Sequence, residues 1–234
     1  MSKENRSFVT AVILAAGAGC RMKLRITKQQ IMLFEESLLK RAVRAFEESS
    51  CIDAIVVVCR EEEREFVFSE ISGFKKITSV VNGGQTRAES ARLGFLSIPS
   101  ETEFVAIHDA ARCLIRSEMI ENVVGAAFIH GAATAVKKIT DSVKRVGCDG
   151  MILETVPREE LYAAQTPQVF KTEDYSLGLE RCDLDSSITD DNMIMEKIGK
   201  KVFCVDCGEE NIKITVPEDL SYAEFLIKRR LGDV

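Results

Sequence analysis

Short apolar runs that stop at glycine or aspartate recur along this chain, with helix-like stretches between them. That alternation constrains the fold more than any other feature. Residues 8–14 (FVTAVIL) end in Ala15-Ala16-Gly17. Residues 77–81 end at Asn82-Gly83-Gly84, and 104–107 run into His108-Asp109. Runs at 54–59, 132–136, 202–205 and 212–216 complete the set. Mainly apolar runs of this length are what strands buried on both faces of a parallel sheet look like. Between them, 37–47 places Leu38, Leu39, Ala42, Val43 and Phe46 at helical spacing. Thr86-Arg87-Ala88-Glu89 has the form of a capping box that opens a helix. Further helices are predicted over 118–129, stopped by Gly131, over 173–181 after Thr172, and over 191–198 before Gly199. A last one has Pro217 as its first residue. Strand–helix alternation of this kind gives an α/β fold with a mostly parallel sheet.

One segment departs from the rhythm. Residues 141–156 read as two strands around Gly147-Cys148-Asp149-Gly150, a hairpin protruding over about 139–158. An isolated hairpin exposes its edges, so a second copy of the chain is the expected cover.

The remaining bulk properties exclude function classes. The 234 residues suit a single domain, 1–234, carrying that arm. A net charge of -6 leaves no basic surplus for a nucleic-acid footprint. No apolar run reaches the ~18 residues of a membrane span, and residues 1–7 have no apolar leader core, so a cytoplasmic chain is expected. The eight cysteines are scattered and read as reduced thiols. Cys204 and Cys207 form a lone C-x-x-C; zinc calls for a second pair.

Chemistry is expected at the carboxyl ends of the strands. The loop after the first run, residues 15–22 (AAGAGCRM), has small residues that let backbone N–H groups ring a phosphate. Arg21 adds a fork of donors and Lys28 a mobile charge. The Gly-Lys-Ser/Thr of a Walker loop is missing, and Met22 stands where a dinucleotide fingerprint needs its third glycine.

The stretch 14–22 followed by Lys28-Gln29 resembles the signature of sugar and polyol nucleotidyltransferases. His108-Asp109-Ala110-Ala111-Arg112, Thr166-Pro167-Gln168, Thr189-Asp190 and Asn211-Ile212-Lys213-Ile214-Thr215 follow in order. Together these motifs resemble the 2-C-methyl-D-erythritol 4-phosphate cytidylyltransferase family, from about residue 9 to 225. The resemblance implies a Rossmann-like three-layer sandwich that transfers CMP from CTP to a phosphorylated polyol with Mg²⁺, as a homodimer joined through the hairpin arm. It implies that Ala15, Ala16, Gly17 and Gly19 hold the triphosphate. It places Gly83, Gly84, Arg87 and Ser90 against cytosine and ribose, and Asp109 and Ala110 beside the nucleotide, with Asp109 on the metal. Arg21, Lys28, Arg158 and Lys213 are the implied catalytic cations. Arg112, Ser142, Thr166 and Thr189 fall on the acceptor side, and Arg158 is expected to serve a neighbouring subunit. The chain departs from the family at Thr27 and Cys113, where proline is usual, and at Asp191, where the motif commonly reads Thr-Asp-Glu. Two other readings remain: ribitol 5-phosphate as acceptor, and a non-catalytic nucleotide-binding relative.

An anionic phosphate nucleophile needs charge neutralisation and in-line alignment rather than a general base. Cations converging from several strands supply both.

Overall fold

The computed structural model describes residues 6–17, 27–185 and 187–232. The chain runs through β1 (Val9–Leu14), a 3-10 turn (Lys28–Gln30), β2 (Met32–Leu33), β3 (Glu36–Ser37), α1 (Leu38–Glu48) and β4 (Ala54–Cys59). Next come α2 (Arg64–Ile71), β5 (Ile77–Asn82), α3 (Arg87–Phe95), β6 (Phe104–Asp109), α4 (Ser117–His130) and β7 (Ala132–Lys138). Then follow β8 (Val143–Val146), β9 (Ile152–Val156), β10 (Tyr162–Lys171), α5 (Thr172–Arg181), α6 (Asn192–Lys197), β11 (Phe203–Asp206) and α7 (Glu218–Leu231).

Seven strands form one sheet in the order β11-β7-β10-β6-β1-β4-β5. All neighbours are parallel except β10, which is antiparallel to both β6 and β7. Strand periodicity divides the core in two. Val9, Ala11 and Ile13 of β1 pack with Ile55 and Val57 of β4 beneath α1, α2, α4 and α7. Val12 and Leu14 pack with Val56, Val58, Val105 and Ile107 beneath α3, α5 and α6. Successive side chains alternate faces, and both faces are covered. This is why β1, β4 and β6 are buried at every position, and the expected three-layer sandwich results. α3 lies close on the sheet: a Cβ at Gly94 would stand 2.4 Å from Val12 Cγ1 and 2.7 Å from Val58 Cγ2.

The strand expected at 212–216 is instead an extended segment outside the sheet. Its backbone groups are taken up elsewhere. Ile214 N–H donates to Ala111 O (2.8 Å), while Thr215 and Val216 N–H donate to the Asp219 carboxylate. Conversely, β10 was not expected. Pro167 and the polar Gln165 and Gln168 disguise it, and Pro in a run demotes a strand reading. Its ladder with β7 breaks between Ala164 and Gln168, and the missing N–H falls in that break. Five helix starts also differ by a residue from expectation: α1, α4, α5, α6 and α7 begin at Leu38, Ser117, Thr172, Asn192 and Glu218, with Pro217 the N-cap of α7.

β8 and β9 pair only with each other. Val146, Met151, Ile152 and Leu153 of this arm are all more than half exposed. Among the described residues, no helix is long and apolar enough to cross a membrane.

Candidate active site

β1 is the point where the strand order reverses: the chain leaves it toward β4 and β5, then returns to β6 on its other side. Loops from adjacent strands diverge there and open a crevice at their carboxyl ends. A cleft of about 510 Å³ occupies it, lined by Ala16 and Gly17 after β1, Arg60 after β4, Gly83 and Gly84 after β5, and Asp109 closing β6. Lys28, Arg87, Ser90 and Lys213 complete the wall.

Gly83 is required by close approach: a Cβ there would meet Ala16 Cβ at 2.5 Å and Ser90 Oγ at 2.9 Å. Ser90 Oγ accepts from Gly84 N–H (3.0 Å) and donates to Thr86 O (2.9 Å), which ties the glycine loop to the first turn of α3. Thr86 caps that helix through Glu89 N–H. The return bond differs from a regular capping box, since Glu89 Oε2 accepts from Gln85 N–H (2.6 Å).

Asp109 holds the floor. Its Oδ1 accepts from Arg87 Nε (3.1 Å) and its Oδ2 from Lys213 Nζ (2.7 Å). Burial alone pushes the carboxyl up, but Arg87 and Lys213 overcome it and hold Asp109 well below the usual carboxylate range. Arg87 reaches onward, its Nη1 donating to Asp191 Oδ2 (2.6 Å). Burial opposes the charge on Arg87, yet Asp191 and Asp109 together raise its pKa and keep it cationic. Lys213 comes to Asp109 because the 212–216 segment crosses the strand ends rather than joining the sheet. Lys28 is attached to the same segment, Nζ to Ile214 O at 2.6 Å.

Thr166, expected on the acceptor side, also makes contacts within the chain. Its Oγ1 accepts from Asp109 N–H (3.1 Å) and lies 2.9 Å from His108 Nδ1, with only 4% of the residue exposed. Both bonds serve to fix the end of β6. His108 is itself fully buried, and burial lowers its pKa to about 3 against the pull of Asp109, so the ring is neutral.

The acceptor-side residues divide. Arg112, Thr166, Thr189 and Lys213 line a side cavity of about 230 Å³ that shares Arg87, Asp109 and Lys213 with the main cleft. Arg112 donates to Asn211 O (2.8 Å) and Ala164 O (3.2 Å), bracing β10 against the crossing segment. Ser142 and Arg158 line neither cavity. Both are exposed at the base of the arm, where Arg158 donates to Thr140 O. Ala15 and Ala110 are buried behind the wall, with backbone N–H groups bonded to Val58 O and Leu14 O. Gly19 and Arg21 lie outside the described residues.

Two departures from the family pattern find a structural account. Thr27 adopts φ -72°, the angle proline would impose, and its N–H, which proline would lack, donates to Gln30 Oε1 (3.1 Å). Cys113 is a core residue whose thiol burial pushes up to about 12. Arg60 was not singled out from sequence. Its Nε donates to Ala16 O (3.2 Å), and its place one residue past a buried run is the signal that could have found it.

Residues 9–229 match the family described as IspD: 2-C-methyl-D-erythritol 4-phosphate cytidylyltransferase. The chain is 39% identical over 229 residues to a protein of that name from Pelotomaculum thermopropionicum, covering 96% of each. It is 36% identical over 234 residues to one from Alkaliphilus oremlandii, covering 97% of this chain and 98% of the other. The structure is similar to that of 4-diphosphocytidyl-2C-methyl-D-erythritol synthase from Anaerococcus prevotii. There the TM-score is 0.85 at 26% identity, over 95% of this chain and 96% of that one. A 2-C-methyl-D-erythritol 4-phosphate cytidylyltransferase from Francisella tularensis gives 0.78 at 27% identity, over 94% and 99%.

Proposed function

The chain belongs to the 2-C-methyl-D-erythritol 4-phosphate cytidylyltransferase family, and we infer from this that it transfers CMP from CTP to 2-C-methyl-D-erythritol 4-phosphate. A phosphate oxygen of the acceptor attacks the α-phosphorus of CTP. The bond from that phosphorus to the bridging oxygen of the β-phosphate breaks. Pyrophosphate leaves with the electron pair, and 4-diphosphocytidyl-2-C-methyl-D-erythritol forms. The observation that carries the residue roles is the convergence of Lys28, Arg87 and Lys213 on one cleft around one ionised carboxylate.

The main cleft takes the nucleotide. Ala16, Gly17, Gly83, Gly84 and Ser90 surround it closely, and Ala15 and Ala110 support it from behind, with Gly19 assigned to the same loop. Lys28 neutralises the triphosphate, joined by Arg21. The side cavity takes the acceptor, with Lys213 at the junction facing its phosphate. Arg112 and Thr166 shape that cavity, and Thr189 stands at its rim. Asp109 is the one carboxylate lining the main cleft among the described residues. One carboxylate together with nucleotide phosphates is a donor set that suits Mg²⁺, so Asp109 would hold the ion. Mg²⁺ bound there supplies charge neutralisation to the phosphates of CTP and to departing pyrophosphate.

The exposed apolar arm supports a homodimer in which each arm lies across the other subunit, and Ser142 and Arg158 then serve the neighbour's acceptor site. A monomeric mass in solution with full activity would remove that arrangement. The catalytic reading is tested by pyrophosphate release with CTP and Mg²⁺, comparing 2-C-methyl-D-erythritol 4-phosphate with ribitol 5-phosphate. Release with the first alone is expected. Release with ribitol 5-phosphate alone would move the chain to the other acceptor, and CTP binding without release from either would make it a non-catalytic relative.

A further inference from the structure

Asp191 is fully buried, and a carboxylate taken wholly out of water needs close, well-directed partners to remain there. It has them on both sides. Oδ2 accepts from Arg87 Nη1 at 2.6 Å, and Oδ1 accepts from the Tyr175 hydroxyl, also at 2.6 Å. Its backbone N–H donates to Gln168 Oε1 on β10 (2.8 Å). Tyr175 is equally buried, its ring stacked on Phe170 (centroids 5.3 Å, planes 5° apart) and met edge-on by Phe95 at 5.1 Å. The hydroxyl is thus held by a rigid aromatic wall.

The consequence reaches the cleft. Arg87 turns Nη1 toward Asp191 and Nε toward Asp109, and Nη2 has no hydrogen-bond partner. A guanidinium prefers to grip a carboxylate with two parallel bonds. Here the bond to Asp109 is single, through Nε, while Asp191 anchors the guanidinium at Nη1, and the second Asp109 oxygen goes to Lys213.

We propose that Asp191, held from behind by Tyr175, is a positioning residue for the transfer reaction: it sets the angle at which Arg87 meets Asp109 and so keeps Lys213 in the acceptor cavity. The proposal rests on the cytidylyl-transfer reading. Neither residue lines a cavity, so their effect passes through Arg87.

The test is steady-state kinetics of the full chain and its Asp191→Asn, Asp191→Glu and Tyr175→Phe variants, with CTP affinity measured by calorimetry without acceptor. Asp191→Asn is expected to lower kcat ~10–100-fold, less than the ~10²–10³ of losing a direct contact, with CTP affinity within about threefold. Asp191→Glu restores most of the rate, and Tyr175→Phe, which keeps the ring, loses about three- to tenfold in kcat. A folded Asp191→Asn enzyme with wild-type kcat would overturn the proposal. So would an Asp191→Glu enzyme as slow as Asp191→Asn at unchanged melting temperature, since shape rather than charge would then matter. Should Asp191→Asn fail to fold, an unchanged kcat in Tyr175→Phe decides against it. Wild-type turnover, measured alongside, separates these outcomes from failure of the activity reading. The ¹⁵N resonance of Arg87 Nε, shifted in Asp191→Asn, reports the reorientation independently of turnover.

Discussion

The floor of the cleft and the β8–β9 arm are built in opposite ways. Around Asp109 the side chains are tied to one another: Arg87, Lys213 and Asp191 form a chain of ionic hydrogen bonds, and Thr166 and His108 lock the strand end below. The arm pairs only with itself, leaves Met151, Ile152 and Leu153 in the open, and carries its candidate functional groups at its base. A lone two-stranded hairpin is marginally stable in water. One region is therefore held together by contacts among its own side chains, and the other leaves its apolar side chains uncovered.

The sharpest way to break this comparison is Lys213→Ala, which takes a cation from the first region. We expect kcat/KM to fall by ~10²–10³ in the pyrophosphate-release assay with the fold intact, and a loss below tenfold would remove Lys213 from the chemistry. The next compares the two regions by stability. Ile13→Ala, at a position with no exposure, is expected to cost ~2–5 kcal/mol in urea unfolding. Ile152→Ala on the arm is expected to stay within about 0.5 kcal/mol at concentrations where the chain is monomeric. Equal costs would mean that the arm is packed within the subunit.

A smaller effect concerns acid. The folded state holds His108 at about 3 while the ordinary value is 6.5, because of burial. As pH falls below 6.5 the unfolded chain takes up a proton that the folded chain refuses. Neutral His108 therefore contributes stability above that pH and progressively less as pH falls toward 3. The loss approaches ~1.4 kcal/mol per pH unit. Urea midpoints at pH 7 and pH 5 should diverge less in His108→Asn than in the wild type; parallel losses would refute the assignment. The smallest is Thr86→Ala, which removes the cap from α3 next to the glycine loop and should cost ~1 kcal/mol, with KM for CTP rising if that turn holds the nucleotide.

Much of the site was legible because its residues stand in short motifs at the ends of apolar runs. Asp109 closes a run, and Gly83 and Gly84 follow one. Arg112 and Thr166 were legible as positions, but their bracing of β10 and locking of β6 were not, since these depend on which carbonyls and rings lie opposite. Asp191 was visible only as a departure from a motif, while Tyr175 was an ordinary apolar position on a helix. Their bond joins residues from separate elements, and neither spacing nor composition registers a meeting of that kind.

The sequence alone determined the alternation of strand and helix, the burial of both sheet faces and the hairpin, since these depend on side-chain periodicity along a local segment. Tertiary structure decided that β10 runs antiparallel through the sheet, where the break in its β7 ladder accommodates Pro167. It also decided that 212–216 crosses the strand ends instead of joining them. An apolar run specifies burial, but whether its backbone groups meet a neighbouring strand or Ala111 and Asp219 is set only when those partners arrive from elsewhere in the chain. That outcome placed Lys213 on Asp109, and with it the chemistry of the cleft.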